Sequence, residues 1–547
     1  MKIPGVADRQ GFYDDIAQQC LVSRSDRISQ YERLRCYYLF GCDSGSNPAI
    51  FNKIYPQIDL LVSFLFAAET ARFGIQIDSE SKDRKIALPK IPALTRRLNS
   101  KWHRSNADIQ TGLAVQWALV FDSMFIKLIQ RGRNTYPYLV DPHSFGVLRE
   151  DMPFLDDQEA FVHTYTISAN SLKRILDAHP RKNEILAMVS RSLKQDTTEM
   201  PAGVQRIVMS QFPMGAGGPG GPGQVTSPYN VIDGYRAKTA DERVEMRELW
   251  VWDDDANDYR VATLASGNVV VYDRENFYLP GEQPFTQICP NPAYDYFWGH
   301  SEVDRLTQLQ DARETRMEQI IELLNRQVKP PSALRGQWNG IQDETNYALQ
   351  VFGASISSSD PTASVEQFAP TVPSDTFTEI REYDSMFNEI MGLSNVVQGK
   401  GESGVRSKGH AAELARLGSS RIRKRAFTLE DGFEKIGLHY LKLMQQHDPE
   451  TLLDEDGKTF IAEQFTKDYT VKVDGHSSSP IFTEDQKELA YRLFESHAID
   501  RSELIEMVDP PNKQVMLEKL KVMEKNEQAA AEKKEQAEAQ KGLKSVK

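Results

Sequence analysis

The sequence is poor in the features that mark disulfide, metal and membrane proteins. It has only four cysteines in 547 residues, with no C-x-x-C pair and no histidines at zinc spacing. We therefore expect free thiols and a reducing compartment. The most hydrophobic stretch, 113–129, contains an amide and two charged side chains and is too short to span a bilayer. The N-terminus lacks the apolar core of a secretion signal, so neither export nor membrane insertion is expected.

An excess of positive charge is also missing. Lys and Arg total 65 against 78 Asp and Glu, which gives a net charge of −13. Proteins that coat nucleic acid are usually strongly basic, so tight wrapping of DNA is not expected. Hydrophobic residues make up 40% and aromatic residues 9% of the chain, which are ordinary globular values. At roughly 150 residues per domain, the chain should form three or four structural units.

Catalytic signatures are absent as well. The run Gln398-Gly399-Lys400-Gly401 resembles part of a phosphate loop, but Ser394 occupies the first glycine position and Gly401 replaces the magnesium-binding hydroxyl. There is no H-E-x-x-H or G-x-S-x-G motif, and the ten histidines are scattered. The sequence therefore predicts a protein without catalytic residues, cofactor or metal.

Apolar periodicity predicts an α+β fold that is predominantly helical. A run rich in glycine and proline, 209–225, cannot build a core and is expected to form a flexible loop. In the N-terminal half, helices are expected over 12–39 (two helices), 54–71, 109–130 and from 168 to about 194, and strands over 136–140, 161–167, 244–252, 259–264 and 268–272, the last three forming a β-meander.

The C-terminal half is dominated by long helices. An apolar stripe predicts a helix over 299–328 that ends at Pro330-Pro331. Apolar residues from Ile422 to Leu443 repeat by four and three, a heptad seam that is expected to pack on another helix. Between 331 and 373 we expect a turn-rich insert with strands over 347–353 and 364–369. The remaining expectations are a helix over 376–391, a glycine-rich loop over 394–409, a strand over 469–473, short helices from 483 and 501, and a charged tail over 516–547.

The densest basic run is Arg421-Ile422-Arg423-Lys424-Arg425, and the region 400–425 that contains it has eight Lys or Arg and two Glu. On the glycine-rich loop, Lys400, Arg406 and Lys408 have little to pack against, which favours contact with a polyanion. For the helix that follows, two interpretations remain open: its cations pair with carboxylates of a neighbouring helix or subunit, or they face DNA. That basic helix set comprises Arg416, Arg421, Arg423, Lys424 and Arg425.

Three motifs carry a resemblance to a known family. They are Tyr138-Leu139-Val140-Asp141-Pro142-x-x-Phe145, then Gly299-His300-Ser301-Glu302 with Leu306 and Leu309, and Gly392-Leu393-Ser394 ahead of Arg406-Ser407-Lys408. In this order, and over most of residues 50–500, the chain resembles the portal proteins, or head-to-tail connectors, of tailed bacteriophages. The second motif is the strongest of the three.

The resemblance implies a portal fold with wing, stem, clip and crown that assembles as a ring, typically of twelve subunits. On this assignment Trp338, Tyr347 and Phe352 of the clip would bind partner proteins. The implied parts are the wing (1–298, with the β-meander 243–272 and the flexible loop 209–225), the first stem helix (299–328), the clip (329–373), the second stem helix (374–393), the tunnel loop (394–410), the long helix and return to the wing (411–480), and the crown with its charged tail (481–547).

The resemblance also implies a function without catalysis: a channel at one capsid vertex for DNA packaging, retention and ejection. Implied partners are further copies of the chain, double-stranded DNA through transient sequence-independent contacts, the terminase large subunit, major capsid and scaffolding proteins, and head-tail adaptor or tail proteins. The protein would lie in the host cytoplasm during assembly and at the portal vertex of the virion afterwards. Two alternatives stay open: another virion structural protein, such as a head-tail adaptor or internal head protein, and a DNA-packaging enzyme.

Overall fold

A computed structural model describes most of the chain. About half of the described residues (53%) are helical and 21% lie in strands, which confirms the α+β class. Within this part of the chain, no helix combines the length and apolarity needed to cross a bilayer. The described residues are 1–5, 8–43, 49–66, 73–78, 80–177, 179–189, 243–265, 269–328, 332–335, 359, 361–362, 364–367, 371, 373, 375–393, 420–465, 469–473, 489–496, 498–508, 516, 520 and 523.

Six helices occupy the first part of the chain, and most bury one apolar stripe. The second helix ends at Gly41, whose φ of +74° is a left-handed conformation that glycine adopts without strain. The expected pair over 12–39 and the helix from 54 are confirmed, while 67–71 lies outside the described residues. The helices are α1 (Arg9–Cys20), α2 (Arg24–Phe40), α3 (Ile54–Leu65), the short α4 (Arg84–Ala87), α5 (Ile91–Arg104) and α6 (Ala107–Phe121).

The expected helix over 109–130 is wrong in its second half. Helix α6 ends at Phe121, and strand β2 (Met124–Arg131) begins three residues later. The break lies at Asp122, whose φ of +103° interrupts the helix. Strand β2 pairs along both edges, and the consecutive residues Met124, Phe125 and Ile126 are all buried, so its first half lacks the alternation that distinguishes a strand from a helix in sequence.

The two largest sheets of the body have three and five strands. A three-stranded sheet has the order β3-β2-β9, and a five-stranded antiparallel sheet has the order β4-β5-β6-β7-β8 and contains the expected meander. Strand β9 was not expected, because it lies in a proline-rich connection. The expected helix after 168 is present as α7 (Ala169–Ile175) and a helical segment over 182–189, while residues 176–177 and 179–181 between them are not helical. The strands are β3 (Asn134–Val140), β4 (Phe145–Val147), β5 (Ala160–Ser168), β6 (Arg243–Asp253), β7 (Asp258–Ala265), β8 (Val269–Glu275) and β9 (Phe285–Ile288).

Two long helices pack side by side as a hairpin. They are α8 (Asp304–Val328) and α9 (Asp375–Met391), and they confirm the two helices expected on either side of the insert. Between them, β10 (Ser332–Arg335) pairs antiparallel with β11 (Ser364–Gln367). The expectation of a strand over 364–369 is met at 364–367. We call α8 and α9 together the helical hairpin.

Helix α10 (Ser420–His447) is the central element of the body. All seven heptad positions are buried: Ile422, Ala426, Leu429, Phe433, Ile436, Tyr440 and Leu443. Its expected partner was a helix, but α10 packs mainly on strands, including β2, β3 and β9, and on helices α3 and α5. The regular apolar seam therefore predicted burial and contact with a helix correctly, but not that strands form most of the contact, because a sheet face offers the same apolar surface as a helix.

The remaining elements close the body around α10. The strand expected at 469–473 is present as β14 (Tyr469–Val473); it also packs on α10 and pairs with β1 (Phe73–Ile77), joining two distant parts of the chain. Strands β12 (Thr451–Leu453) and β13 (Thr459–Ile461) form a small hairpin. The helix expected from 501 is α11 (Arg501–Val508), and residues 489–495 are also helical.

Candidate functional site

The motif Gly299-His300-Ser301-Glu302 forms the base of the helical hairpin. Gly299 has a φ of +79°, and a Cβ there would lie 2.5 Å from the Cys289 Sγ atom, so only glycine fits. The Ser301 hydroxyl oxygen accepts from the backbone N–H of Val303 (3.1 Å) and of Asp304 (3.2 Å), which caps α8. The same hydroxyl donates to the Val120 carbonyl at 2.6 Å, which ties the start of α8 to the end of α6.

A buried ion pair joins this base to α10. Glu302 is fully buried, and its Oε1 atom lies 2.6 Å from Nε of Arg425. The side chain of Asn291 donates to the same oxygen at 2.8 Å. Arg425 also donates from Nη1 to the Met391 carbonyl at the end of α9 (3.0 Å). One guanidinium group therefore connects the start of α8, the end of α9 and the first turns of α10; we call it the hairpin anchor.

A second buried network supports the residues just before this base. Asp122 accepts from the Tyr31 hydroxyl at 2.8 Å, and burial raises the pKa of its carboxyl group well above its usual range. The neighbouring Ser123 hydroxyl donates to the Trp298 carbonyl at 2.8 Å. Arg27 lies over the Trp298 ring, 3.7 Å from its centroid. The chain is thus held in place directly before Gly299.

Arg425 is therefore not a residue of an exposed basic face. Its side chain is buried because a carboxylate 123 positions earlier compensates its charge. For this residue, the interpretation as an ion-pair partner of a neighbouring segment holds, within one chain. Arg423 and Lys424 lie exposed on α10, and Arg421 lies in its first turn.

Lys400, Arg406, Lys408 and Arg416, together with the clip residues Trp338, Tyr347 and Phe352, lie outside the described residues. The structure does bring together the two described ends that flank 394–419, through the contact between Arg425 and the Met391 carbonyl.

Ion pairs hold the near part of the helical hairpin together. Arg313 is buried on α8 and donates from Nε to Asp384 of α9 at 3.0 Å. Lys53, at the start of α3, lies 3.2 Å from the same carboxylate. One turn further along, Arg316 pairs with Glu379 at 2.9 Å. The near half is therefore fixed to the body and to its partner helix.

The far part of the helical hairpin exposes apolar side chains instead. Leu324 is 39% exposed, Val328 is 76% exposed and Phe377 on the other helix is 49% exposed. The two helices carry ten carboxylates and five arginines, a net charge of −5. An acidic helix pair with uncovered apolar residues at its far end is a typical surface for association with further subunits.

Among the described residues, no group of three or more His, Cys, Asp or Glu side chains is arranged to hold a metal ion. The four cysteines are free thiols, as expected from their spacing, and three of them are buried.

Comparison with known proteins agrees with the expected family. The chain matches no curated protein. A solved structure described as the virion of a native gene transfer agent particle has 10% sequence identity, covers 89% of this chain and 94% of its own, and superposes with a TM-score of 0.40. The model of the phage SU10 portal protein family matches residues 223–534, which is more than half of the chain and includes both the helical hairpin and α10. The chain therefore belongs to the phage SU10 portal protein family.

Proposed function

We propose that copies of this chain assemble into the ring-shaped channel at one capsid vertex through which DNA is packaged, retained and ejected. The observation that carries the proposal is the helical hairpin, acidic along its length, firmly anchored at one end and uncovered at the other. In this assignment the hairpin is the stem, 329–373 is the clip that docks terminase and then tail or adaptor proteins, and 394–410 is the tunnel loop.

The proposed mechanism is electrostatic. Ten carboxylates against five arginines on each hairpin would give the bore of a ring a negative surface that repels DNA phosphates. A duplex could then slide without adhering. The loop cations Lys400, Arg406 and Lys408 would add weak, transient contacts to the phosphate backbone, independent of base sequence.

The first test concerns assembly. Leu324→Glu with Val328→Glu is expected to abolish the ring while leaving the monomer folded, because these exposed side chains pack little in one chain but would be buried against a second. Native mass measurement and negative-stain imaging give the readout. The matched control is Asn325→Glu, a polar exposed position on the same helix, which should assemble. Rings from the double variant would contradict a hairpin interface.

The second test concerns the tunnel loop. Lys400→Ala, Arg406→Ala and Lys408→Ala combined should leave rings intact but reduce DNA packaging or retention, because the transient phosphate contacts are lost. Particle yield and the amount of encapsidated DNA are the measurements. Packaging at the level of the unmodified protein would refute the contact role of these residues.

Two alternatives remain to be separated from this proposal. A head-tail adaptor or internal head protein that works as a monomer would show a single-chain mass at high concentration. A packaging enzyme would hydrolyse ATP on its own, which the lack of a phosphate-loop motif argues against. A ring mass without ATP hydrolysis would support the channel.

A further inference from the structure

An unusually basic segment lies in the N-terminal part of the body, away from the region on which the proposed function rests. Residues 82–104, which include α4 and α5, contain eight Lys or Arg and one Asp, a net charge of +7 in a chain of −13. Two more arginines lie nearby in sequence order: Arg131 is the last residue of β2, and Arg133 lies in the tight turn that leads to β3.

The end of α5 and this turn are in direct contact. Lys101 on α5 donates from Nζ to the Arg133 carbonyl at 2.9 Å and contacts the Asn134 side-chain oxygen at 3.3 Å. Arg104 follows one helical turn later and is exposed, as are Arg131 and Arg133. Three guanidinium groups are therefore displayed at one end of the body.

Two tyrosines extend this surface along β3. Tyr136 and Tyr138 alternate with buried residues, so both side chains lie on one face of the strand, and they are 36% and 53% exposed. The Arg131 guanidinium lies 5.8 Å from the centroid of the Tyr136 ring. We call Arg104, Arg131, Arg133, Tyr136 and Tyr138 the arginine–tyrosine surface.

The carboxylates around α5 are already engaged by other groups. Asp448 is buried and lies 3.0 Å from Arg97 and 2.5 Å from Lys101. Asp108 accepts from the Trp102 indole at 2.7 Å and contacts the His103 ring at 2.6 Å. Within the described ranges, no carboxylate pairs with any of the three surface arginines. Their positive charge is therefore available to a ligand.

We propose that the arginine–tyrosine surface binds the phosphate backbone of double-stranded DNA without regard to sequence. Guanidinium groups bind phosphate oxygens through paired hydrogen bonds, and tyrosine hydroxyls donate to phosphates. The inference rests on the proposed function, since a subunit of a DNA channel lies beside duplex DNA. It adds a second DNA contact, built on rigid elements and separate from the tunnel loop.

An acidic protein segment is the competing ligand class, and the composition of the surface argues against it. Protein interfaces have an apolar, well-packed centre. Between the arginines of the turn lies Gly132, and Asn134 follows them, so no aliphatic side chain occupies the middle of the turn. A surface of arginine and tyrosine with polar residues between them suits phosphates better.

The test compares the full chain with Arg104→Gln, Arg131→Gln and Arg133→Gln combined, with a labelled 30-base-pair duplex of arbitrary sequence as the probe. Because each phosphate contact contributes about 0.9 to the salt slope, loss of three contacts should make the slope of log K against log salt shallower by about 2.7. We expect binding at 50 mM salt to weaken by about tenfold or more.

The matched control is Lys173→Gln, Arg174→Gln and Arg181→Gln, which makes the same change in net charge on other exposed side chains and should bind like the unmodified protein. Equal binding by all three proteins, or equal losses in both variants, would overturn the proposal. So would preferential binding of a polyglutamate peptide over the duplex. Native mass, measured in parallel on each protein, reports ring formation separately, so failure of the proposed channel and failure of this surface give different results.

Discussion

Arg425→Met should lower the free energy of unfolding by about 3–5 kcal/mol, the range observed when one partner of a buried ion pair is removed. The change removes the closer of two cations from the fully buried Glu302 carboxylate, leaving Arg305 Nη1 at 3.5 Å, and it removes the Arg425 donor from the Met391 carbonyl. Methionine keeps most of the side-chain volume, so loss of packing contributes little. The measurement is urea denaturation monitored by tryptophan fluorescence, since Trp298 directly precedes the motif that forms this base.

The hairpin anchor gives this prediction an internal control. Adding Glu302→Gln to Arg425→Met removes the uncompensated charge, so the double variant should recover part of the lost stability. Lys424→Met, one position away on the exposed side of α10, should change the free energy of unfolding by about 0.5 kcal/mol or less. If Arg425→Met were as stable as this control, the ion pair would not hold the base of the helical hairpin.

Phe433→Asp should prevent the chain from folding, because it places a carboxylate in the apolar centre of the body. Phe433 is 3% exposed and packs edge-on against Phe66, with 5.9 Å between the ring centroids. Truncation of a buried phenylalanine costs about 3–5 kcal/mol, and burial of an unpaired charge adds to that cost. The expected readout is insoluble protein, or soluble protein without a cooperative thermal transition.

The same helix provides the matched substitution. Phe427 lies six positions earlier and is 75% exposed. Phe427→Asp makes the same chemical change at a position where water solvates the carboxylate, so folding and melting temperature should stay close to those of the unmodified chain. If both substitutions lowered stability equally, the orientation of α10 with Phe433 buried and Phe427 exposed would be contradicted.

These predictions also indicate which parts of the fold could be read from sequence. The seam from Ile422 to Leu443 and the strand Tyr469–Val473 were predictable because each has a period that only one secondary structure satisfies. The junction at Asp122 was not predictable from periodicity, since the apolar residues on both sides of it are buried and the same pattern suits a helix or a strand.

The candidate site was predictable in its location and much less in its chemistry. The run of cations ending at Arg425 suggested one basic face, but burial of Arg425 depends on Glu302, far away in sequence. Conversely, the net charge of +7 over 82–104 is visible in the sequence itself. Which of its cations remain unpaired depends on Asp448, and only the tertiary structure brings that carboxylate to α5.

The helical hairpin behaves mechanically as a cantilever. At 1.5 Å per residue, Val328 lies about 36 Å from Asp304 along the axis of α8. The hydrogen bonds and ion pairs that attach the hairpin to the body are concentrated near the Asp304 end. A sideways force at the tip is therefore multiplied by leverage at the base, where Glu302 and Arg425 meet. A lone subunit should show fast amide hydrogen exchange toward the tip and slow exchange near the base. In a ring, neighbouring subunits that contact the tip would turn a row of separate levers into one stiff tube.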